Sequence, residues 1–355
     1  DALADKPKQG ANVEVTIDPA LQQAAYDQLV GPGYEGSAVA IQPSTGKILA
    51  MASNPGYNPN DLMGDSAEET WANLQEQEGQ PLVNHAGAET LPPGSIFKII
   101  TTAAGLNNGF DPSSTLTGSN VITLPDTVTE LTNYANQKCN GQDAVTLQTA
   151  FALSCNTAFV EMSEQLGADE LRKYAKAFGV GENYDLGVST SAGTLGDLPD
   201  GAATAQSAIG QRDVTMTALQ AAVMAGTVAN KGTRMQPYLV NRITDAQMKD
   251  IRTTKPKKAD QAVNEETAAT LTDLMYASER SSAGYDGNGF ASKTGTAEHG
   301  EGLAPHVWYV AFDPERDIAV GVVVKNGGNL GESATGGKVS GPIGRAILRA
   351  YQGEQ

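Results

Sequence analysis

Residues 307–324 read Val307-Trp308-Tyr309-Val310-Ala311-Phe312-Asp313-Pro314-Glu315-Arg316-Asp317-Ile318-Ala319-Val320-Gly321-Val322-Val323-Val324. Two runs rich in β-branched and aromatic residues flank Asp-Pro-Glu, a turn signal, so the stretch reads as two strands joined by a tight connection. Upstream, Phe290–Thr296 has the same strand composition. Towards the other end of the chain, Ser37–Ile41 and Lys47–Ala52 are apolar runs joined by Gln42-Pro43-Ser44-Thr45-Gly46, a second hairpin. A strand-like Val13–Ile17 precedes it. Asp18 then stands as a helix N-cap and Pro19 at the first helical position, introducing Leu21–Leu29.

Residues 54–94 carry Asn, Pro, Gly, Asp and Glu without sustained periodicity and read as a long surface excursion. From 95 to 280 the pattern is mainly helical. Ser95–Asn108 ends at Gly109, Val145–Leu153 precedes a break, Thr157–Leu166 stops at Gly167, Asp169 caps Leu171–Phe178, and Thr217–Asn230 and Glu265–Ser278 follow. Val339–Tyr351 closes the chain as an amphipathic helix with Ile343, Ile347, Leu348 and Tyr351 on one stripe. Strands at both ends with helices between predict an α+β fold. The terminal strands join into one sheet, a helical lobe lies against it, and a cleft forms between lobe and sheet edge. Residues 1–11 read as a polar linker left from a preceding region and 12–355 as one domain, with 12–94 and 285–355 as its sheet part and 95–284 as the lobe.

The chain has 355 residues, 40% of them apolar, enough to bury a substantial core. Its 24 basic against 41 acidic side chains leave a formal charge of −17. That balance argues against a nucleic-acid partner, which needs a basic face to replace phosphate counterions, and against adhesion to an anionic membrane. No apolar run approaches the roughly 18 residues that span a bilayer. The first residue is Asp1 rather than Met, and a preceding segment carrying a membrane anchor is expected. Two cysteines and three histidines, His85, His299 and His306, form no metal-ligand pattern, so neither a metal nor another cofactor is expected.

Three short constellations can do chemistry. In Leu91-Pro92-Pro93-Gly94-Ser95-Ile96-Phe97-Lys98 a Pro-Gly turn hands over to a helix, and Ser95 and Lys98, three apart, share a helical face. The helix N-terminus adds free backbone N–H groups where an oxyanion develops. Ser44-Thr45-Gly46-Lys47 repeats the spacing on a predicted hairpin turn, where nothing places both side chains on one face. Ser154-Cys155-Asn156, alone of its kind in the chain, falls between two helical stretches, and Lys293-Thr294-Gly295-Thr296 ends a strand. Taken singly, each has an ordinary reading as a cap or a strand end.

Taken together and in this order, they are similar to the Ser-x-x-Lys, Ser-x-Asn and Lys-Thr-Gly set of penicillin-binding proteins and serine β-lactamases. The chain resembles the transpeptidase domain of class B penicillin-binding proteins over nearly its whole length. Thr16–Gln22 looks like the opening of that domain and Ala40–Ala50 like its first hairpin. Ser207-Ala208-Ile209-Gly210-Gln211 with Thr217–Gln220 is similar to the segment before the third motif, and Trp308–Phe312 to the strand after it. Departures are Ala218 where proline is common, Ser292 where glycine often precedes the lysine, and Cys155 between the serine and asparagine of the second motif.

The resemblance implies a five-stranded antiparallel sheet packed on helices, with the Lys293 strand at its edge. A peptidoglycan stem peptide ending in D-Ala-D-Ala would add there as a further strand, its carboxylate meeting Lys293, Thr294 and Thr296. Ser95 is then the nucleophile, which β-lactam antibiotics also acylate, and Lys98 its base. Lys98 needs its pKa lowered by about three units from about 10.4 through burial and a neighbouring cation such as Lys293. Ser154 relays a proton, Asn156 holds the substrate amide and orients Lys98, and the backbone N–H groups of Ser95 and Thr296 form the oxyanion hole. Gly295 lets another backbone approach. The family works at the extracytoplasmic face of the membrane, with division or elongation proteins as partners through the preceding region. In that oxidising setting Cys139 and Cys155, 16 apart, either bond or remain two thiols. His299, close behind the third motif, either touches substrate or is a solvated loop residue; His85 and His306 receive no role. A serine β-lactamase, a D,D-carboxypeptidase and a penicillin sensor that does not cross-link share the acylation apparatus and stand as alternatives.

Overall fold

The computed structural model of the chain describes residues 10–353, so the linker assigned to residues 1–11 lies, apart from its last two residues, outside the described part. A five-stranded sheet runs in the order Ala291–Ala297, His306–Asp313, Ile318–Val324, Gly36–Ile41, Ile48–Asn54, with every neighbouring pair antiparallel. The two hairpins read from the sequence thus meet through their inner strands. Gly36–Ile41 and Ile318–Val324 are buried at every position, which continuous apolar runs permit and alternating ones do not.

Helices cover both faces. Pro19–Val30 and Gly336–Ala350 enclose Leu21, Leu29, Tyr309, Val320 and Ile347 on one side. Lys98–Leu106, Ala218–Ala229 and Glu265–Ser281 enclose Ile100, Val223, Leu271, Trp308 and Val310 on the other. Trp308 and Tyr309 are adjacent and fully buried, yet the pleat sends them to opposite cores. Caps fix where the helices begin. Asp18 accepts from the N–H groups of Ala20 and Leu21 at 3.0 and 3.1 Å, contributing about 1 kcal/mol. Thr217 and Gln220 close a reciprocal capping box.

Three expectations change. The strand placed over Val13–Ile17 spans Asn12–Val15 and pairs with Val240–Thr244 in a separate three-stranded sheet instead of joining the main one. Its four residues are all exposed, and its Asn and Glu could not fill a position between two helical layers. The excursion over 54–94 contains a helix at Ala67–Glu76 with no buried residue, which is why it shows no apolar period strong enough to read. A helix at Gly201–Ala208, capped by Asp200 through the Ala203 N–H at 2.8 Å, packs against Asn156–Ala177 and was not expected. The break foreseen at Gly167 is present as one left-handed residue, φ +78°, inside that longer helix, and Asp169 pairs with Arg172 at 2.8 Å.

Candidate active site

Gly94–Phe97 form a 3₁₀ turn that continues directly into the Lys98–Leu106 helix, and the Lys98 N–H donates to the Ser95 carbonyl. Because 3₁₀ geometry eclipses residues three apart, the Ser95 and Lys98 side chains lie one above the other. The turn is fastened on several sides. Leu91 and Met216 exchange backbone hydrogen bonds at 3.0 and 2.9 Å, the Gly94 N–H donates to Gly210 O at 3.0 Å, and Trp308 Nε1 donates to Pro92 O at 2.9 Å. The third motif presses on it directly. A side chain at Gly295 would come within 2.9 Å of Pro93 O and 3.0 Å of Ile96 N, and one at Gly94, φ +55°, within 2.7 Å of Thr296 O. Only glycine allows the two backbones to touch at both places. Ser95 stays partly exposed among buried neighbours, and its hydroxyl has no hydrogen bond among the described residues.

Ser154 ends the Leu147–Leu153 helix in the left-handed conformation, φ 59° and ψ 50°, and Cys155 starts the next helix from extended backbone. For a residue with a Cβ that conformation costs about 1–2 kcal/mol and persists where the surroundings impose it. Here they do. Ser154 N–H donates to Phe151 O at 3.2 Å, Cys155 N–H to Ala150 O at 2.9 Å, and Cys155 is disulfide-bonded to Cys139 with Cα atoms 5.8 Å apart.

The amine of Lys98, fully buried, donates to Ser154 O and Ser154 Oγ at 3.0 Å each and to Asn156 Oδ1 at 2.7 Å. Lys293, likewise buried, donates to the same Ser154 Oγ at 3.1 Å and to Thr294 O at 2.9 Å. One hydroxyl thus bridges two lysines from different halves of the fold. Phe159 lies beneath Lys98 at 5.2 Å and Phe151 beneath Lys293 at 5.7 Å, ring centroid to nitrogen. Burial, and after it the neighbouring Lys293, holds the Lys98 amine well below its ordinary pKa, while burial lowers Lys293 to about 7.

Lys98, Ser154, Asn156 and Lys293 therefore form one hydrogen-bonded group, and Ser95 stands on the turn that leads into Lys98, against which Gly295 packs. Thr294 and Thr296 occupy the outer strand, half-buried, opposite Tyr309 and Val307, and so alternate to the sheet face away from the Lys293 side chain. His299 is held by its own loop, with Nε2 2.8 Å from Ala304 O and its ring stacked on His306 at 3.9 Å. His306 is buried and accepts from Asn326 N–H; burial, with His299 and Lys325 nearby, lowers its pKa to about 4. His85 sits on Glu89 at 2.7 Å, which raises its pKa. The two phenylalanines were not read as site residues. Their signal was spacing, since Phe151 precedes Ser154 and Phe159 follows Asn156 by three positions on helical backbone. Ser44, in the second Ser-x-x-Lys, bonds the Asp317 carboxylate through both its N–H and its hydroxyl.

The five-stranded sheet and this two-lysine cluster define a serine acyl-transfer architecture, and residues 36–349 match the family described as the penicillin binding protein transpeptidase domain. The chain belongs to that family. Within it, the similarity runs to penicillin-binding protein A of mycobacteria. The peptidoglycan D,D-transpeptidase PbpA of Mycolicibacterium smegmatis is 44% identical across 99% of this chain and 74% of its own length. Penicillin-binding protein A from M. tuberculosis, solved as a penicillin G acyl-enzyme complex, superposes with a TM-score of 0.93 at 41% identity, covering 99% of this chain and 82% of that one. Its ceftriaxone acyl-enzyme complex gives the same TM-score and identity over 97% and 81%.

Proposed function

We propose that this protein is a peptidoglycan D,D-transpeptidase that works through a Ser95 acyl-enzyme and is acylated there by β-lactams. The observation that carries the reading is the Ser154 hydroxyl shared by Lys98 and Lys293 beside the Ser95 turn. A neutral Lys98 has two N–H bonds and one lone pair. Ser154 O and Asn156 Oδ1 are pure acceptors and take the two N–H bonds, which turns the lone pair to the third partner, the Ser154 hydroxyl at 3.0 Å. In this reading Lys98, its pKa depressed, turns its lone pair from the Ser154 hydroxyl to Ser95 and takes the Ser95 proton as Oγ attacks the carbonyl of the penultimate D-Ala. The backbone N–H groups of Ser95 and Thr296 receive the oxyanion. As the tetrahedral intermediate collapses, the C–N bond breaks, Ser154 passes its proton to the departing D-Ala nitrogen, and Lys98 gives Ser154 the proton it took from Ser95 and is neutral again. An amine of a second stem peptide then attacks the ester and loses a proton to Lys98; the C–O bond breaks and Lys98 hands that proton to Ser95 Oγ.

Lys293 supplies the cation for the terminal carboxylate, and the outer edge of its strand pairs with the peptide backbone. Because Thr294 and Thr296 alternate away from Lys293, they reach that carboxylate only around the sheet edge. We place the protein at the extracytoplasmic face of the membrane, anchored and joined to division or elongation proteins through a preceding region. Among the described residues no helix is long and apolar enough to cross a membrane.

Intact mass after benzylpenicillin tests the first half of the reaction: one stable adduct on Ser95 is expected, and rapid release of hydrolysed drug would favour a β-lactamase. Incubation with two stem peptides tests the second half. Cross-linked dimer is expected, and simple loss of D-Ala would indicate a carboxypeptidase.

A further inference from the structure

Behind the outer strand, on the face away from Lys293, lies a buried charge that the mechanism above does not use. Glu279, near the C-terminal end of the Glu265–Ser281 helix, is completely buried. Its carboxylate accepts from four segments: Arg345 Nε at 2.7 Å, Asn288 Nδ2 at 3.1 Å, Tyr309 OH at 2.8 Å and the Ser292 hydroxyl. Arg345 also donates to Ser282 Oγ at 2.7 Å and lies over the Tyr309 ring at 5.1 Å. Burial raises the pKa of the Glu279 carboxyl, but the donors Arg345, Ser292 and Tyr309 hold it below its ordinary value, so it is ionised at neutral pH.

Ser292 pairs with Ala311 and Lys293 with Val310 across the ladder, so successive side chains of the strand point to opposite faces. Glu279 therefore grips the strand from behind one residue before the lysine that reaches Ser154 in front. Among the described residues the strand has a ladder partner on one side only, and the reading proposed above leaves its other edge to a peptide. A charge-assisted bond from a fixed carboxylate supplies the restraint that a second neighbouring strand would otherwise give. Ser292 is also where the chain departs from the glycine common before this lysine, and the hydroxyl that the departure adds is the one bonded to Glu279.

We infer that Glu279 and Ser292 are positioning residues for acyl transfer: the Glu279 carboxylate, set by Arg345 and Tyr309, fixes the depth of the outer strand through Ser292 and so delivers Lys293 to the Ser154 hydroxyl. This rests on the acyl-enzyme reading proposed above. The titratable group facing Lys293 is Lys98, from the helix after Ser95; the Leu147–Leu153 helix and its cap present Phe151 and Ser154, and the neighbouring strand Val310.

The test compares benzylpenicillin acylation of the wild type with Ser292→Ala and Ser292→Gly across pH, with the melting temperature measured in parallel. Expected is a second-order acylation rate lower by on the order of tenfold, with a moderately lower melting temperature because the buried carboxylate loses a donor. The limb of the profile near pH 7 should also move upward, as water reaches a looser Lys293. Glu279→Gln should reproduce both effects with a lower melting temperature; if it does not fold, the two Ser292 variants decide alone. An unchanged rate, or a slower rate with an unmoved limb, would overturn the inference. Failure of the wild type itself to acylate would instead remove the reading on which the inference rests.

Discussion

Ser44–Lys47 and Ser95–Lys98 carry the same spacing of the same two residues and meet opposite fates. Ser44 sits on an exposed hairpin turn with its N–H and hydroxyl both spent on Asp317, and Lys47 is half-buried in the strand pairing that joins it to Tyr238. Ser95 stands in a 3₁₀ turn with its hydroxyl unclaimed among the described residues, and Lys98 is sealed from water over Phe159 beside a second lysine. Four residues do not make a nucleophile. The proposed nucleophile differs in having a helix start that puts the two residues on one face, a burial that lowers the pKa of the amine, and hydrogen bonds that hold it beside Ser154.

The widest separation between the two regions should come from the serines. Ser95→Ala is expected to fold and gain no mass with benzylpenicillin, while Ser44→Ala labels like the wild type; a labelled Ser95→Ala would end the assignment. Next come the lysines. Lys98→Ala should slow acylation by on the order of 10²–10⁴-fold, whereas Lys47→Ala changes it little, and stopped-time mass spectrometry reads both. The proton inventory sharpens the contrast further. The pKa of Lys293 is about 7 folded and ordinarily 10.5, so between those values the unfolded chain holds the extra proton and stability must rise with pH. Melting temperatures should therefore climb from pH 7 to about 9, and do so less steeply in Lys293→Met. Reducing the Cys139–Cys155 bond should cost about 3 kcal/mol from the loop it closes, with slower acylation because Ser154 loses one of its fastenings. Counting thiols in denaturant should give none before reduction. Smallest is Asp317→Asn, which replaces the charged acceptor of the Ser44 hydroxyl by an amide and should shift stability by about 0.5 kcal/mol or less without creating a second labelled serine.

Much of the sheet was legible because its strands are runs of Val, Ile and Ala bounded by turn residues, and Asp18-Pro19 announced a helix start that the structure contains. The Asn12–Val15 strand was recognised as a strand but given the wrong neighbours, since pairing depends on which faces are already covered and a four-residue exposed strand carries no such information. Within the site, Lys98, Ser154, Asn156 and Lys293 were read as motifs and the structure brings them into hydrogen-bond contact. The sides taken by Thr294 and Thr296 follow from the pleat once Lys293 is placed. Glu279, Arg345 and Tyr309 gave no signal, because a buried ion pair looks in sequence like two surface charges until the fold brings 279 and 345 together.

The outer strand has a further consequence, one that concerns solubility. Among the described residues its second edge has no ladder partner, and such an edge can pair with another copy of the same molecule, the situation in which proteins stack edge to edge. The formal charge of −17 keeps such copies apart by mutual repulsion at neutral pH, and that repulsion vanishes near the isoelectric point of about 4.5. Mild acid should therefore bring the protein out of solution before it unfolds, and a tightly bound β-lactam lying along the edge should delay the precipitation.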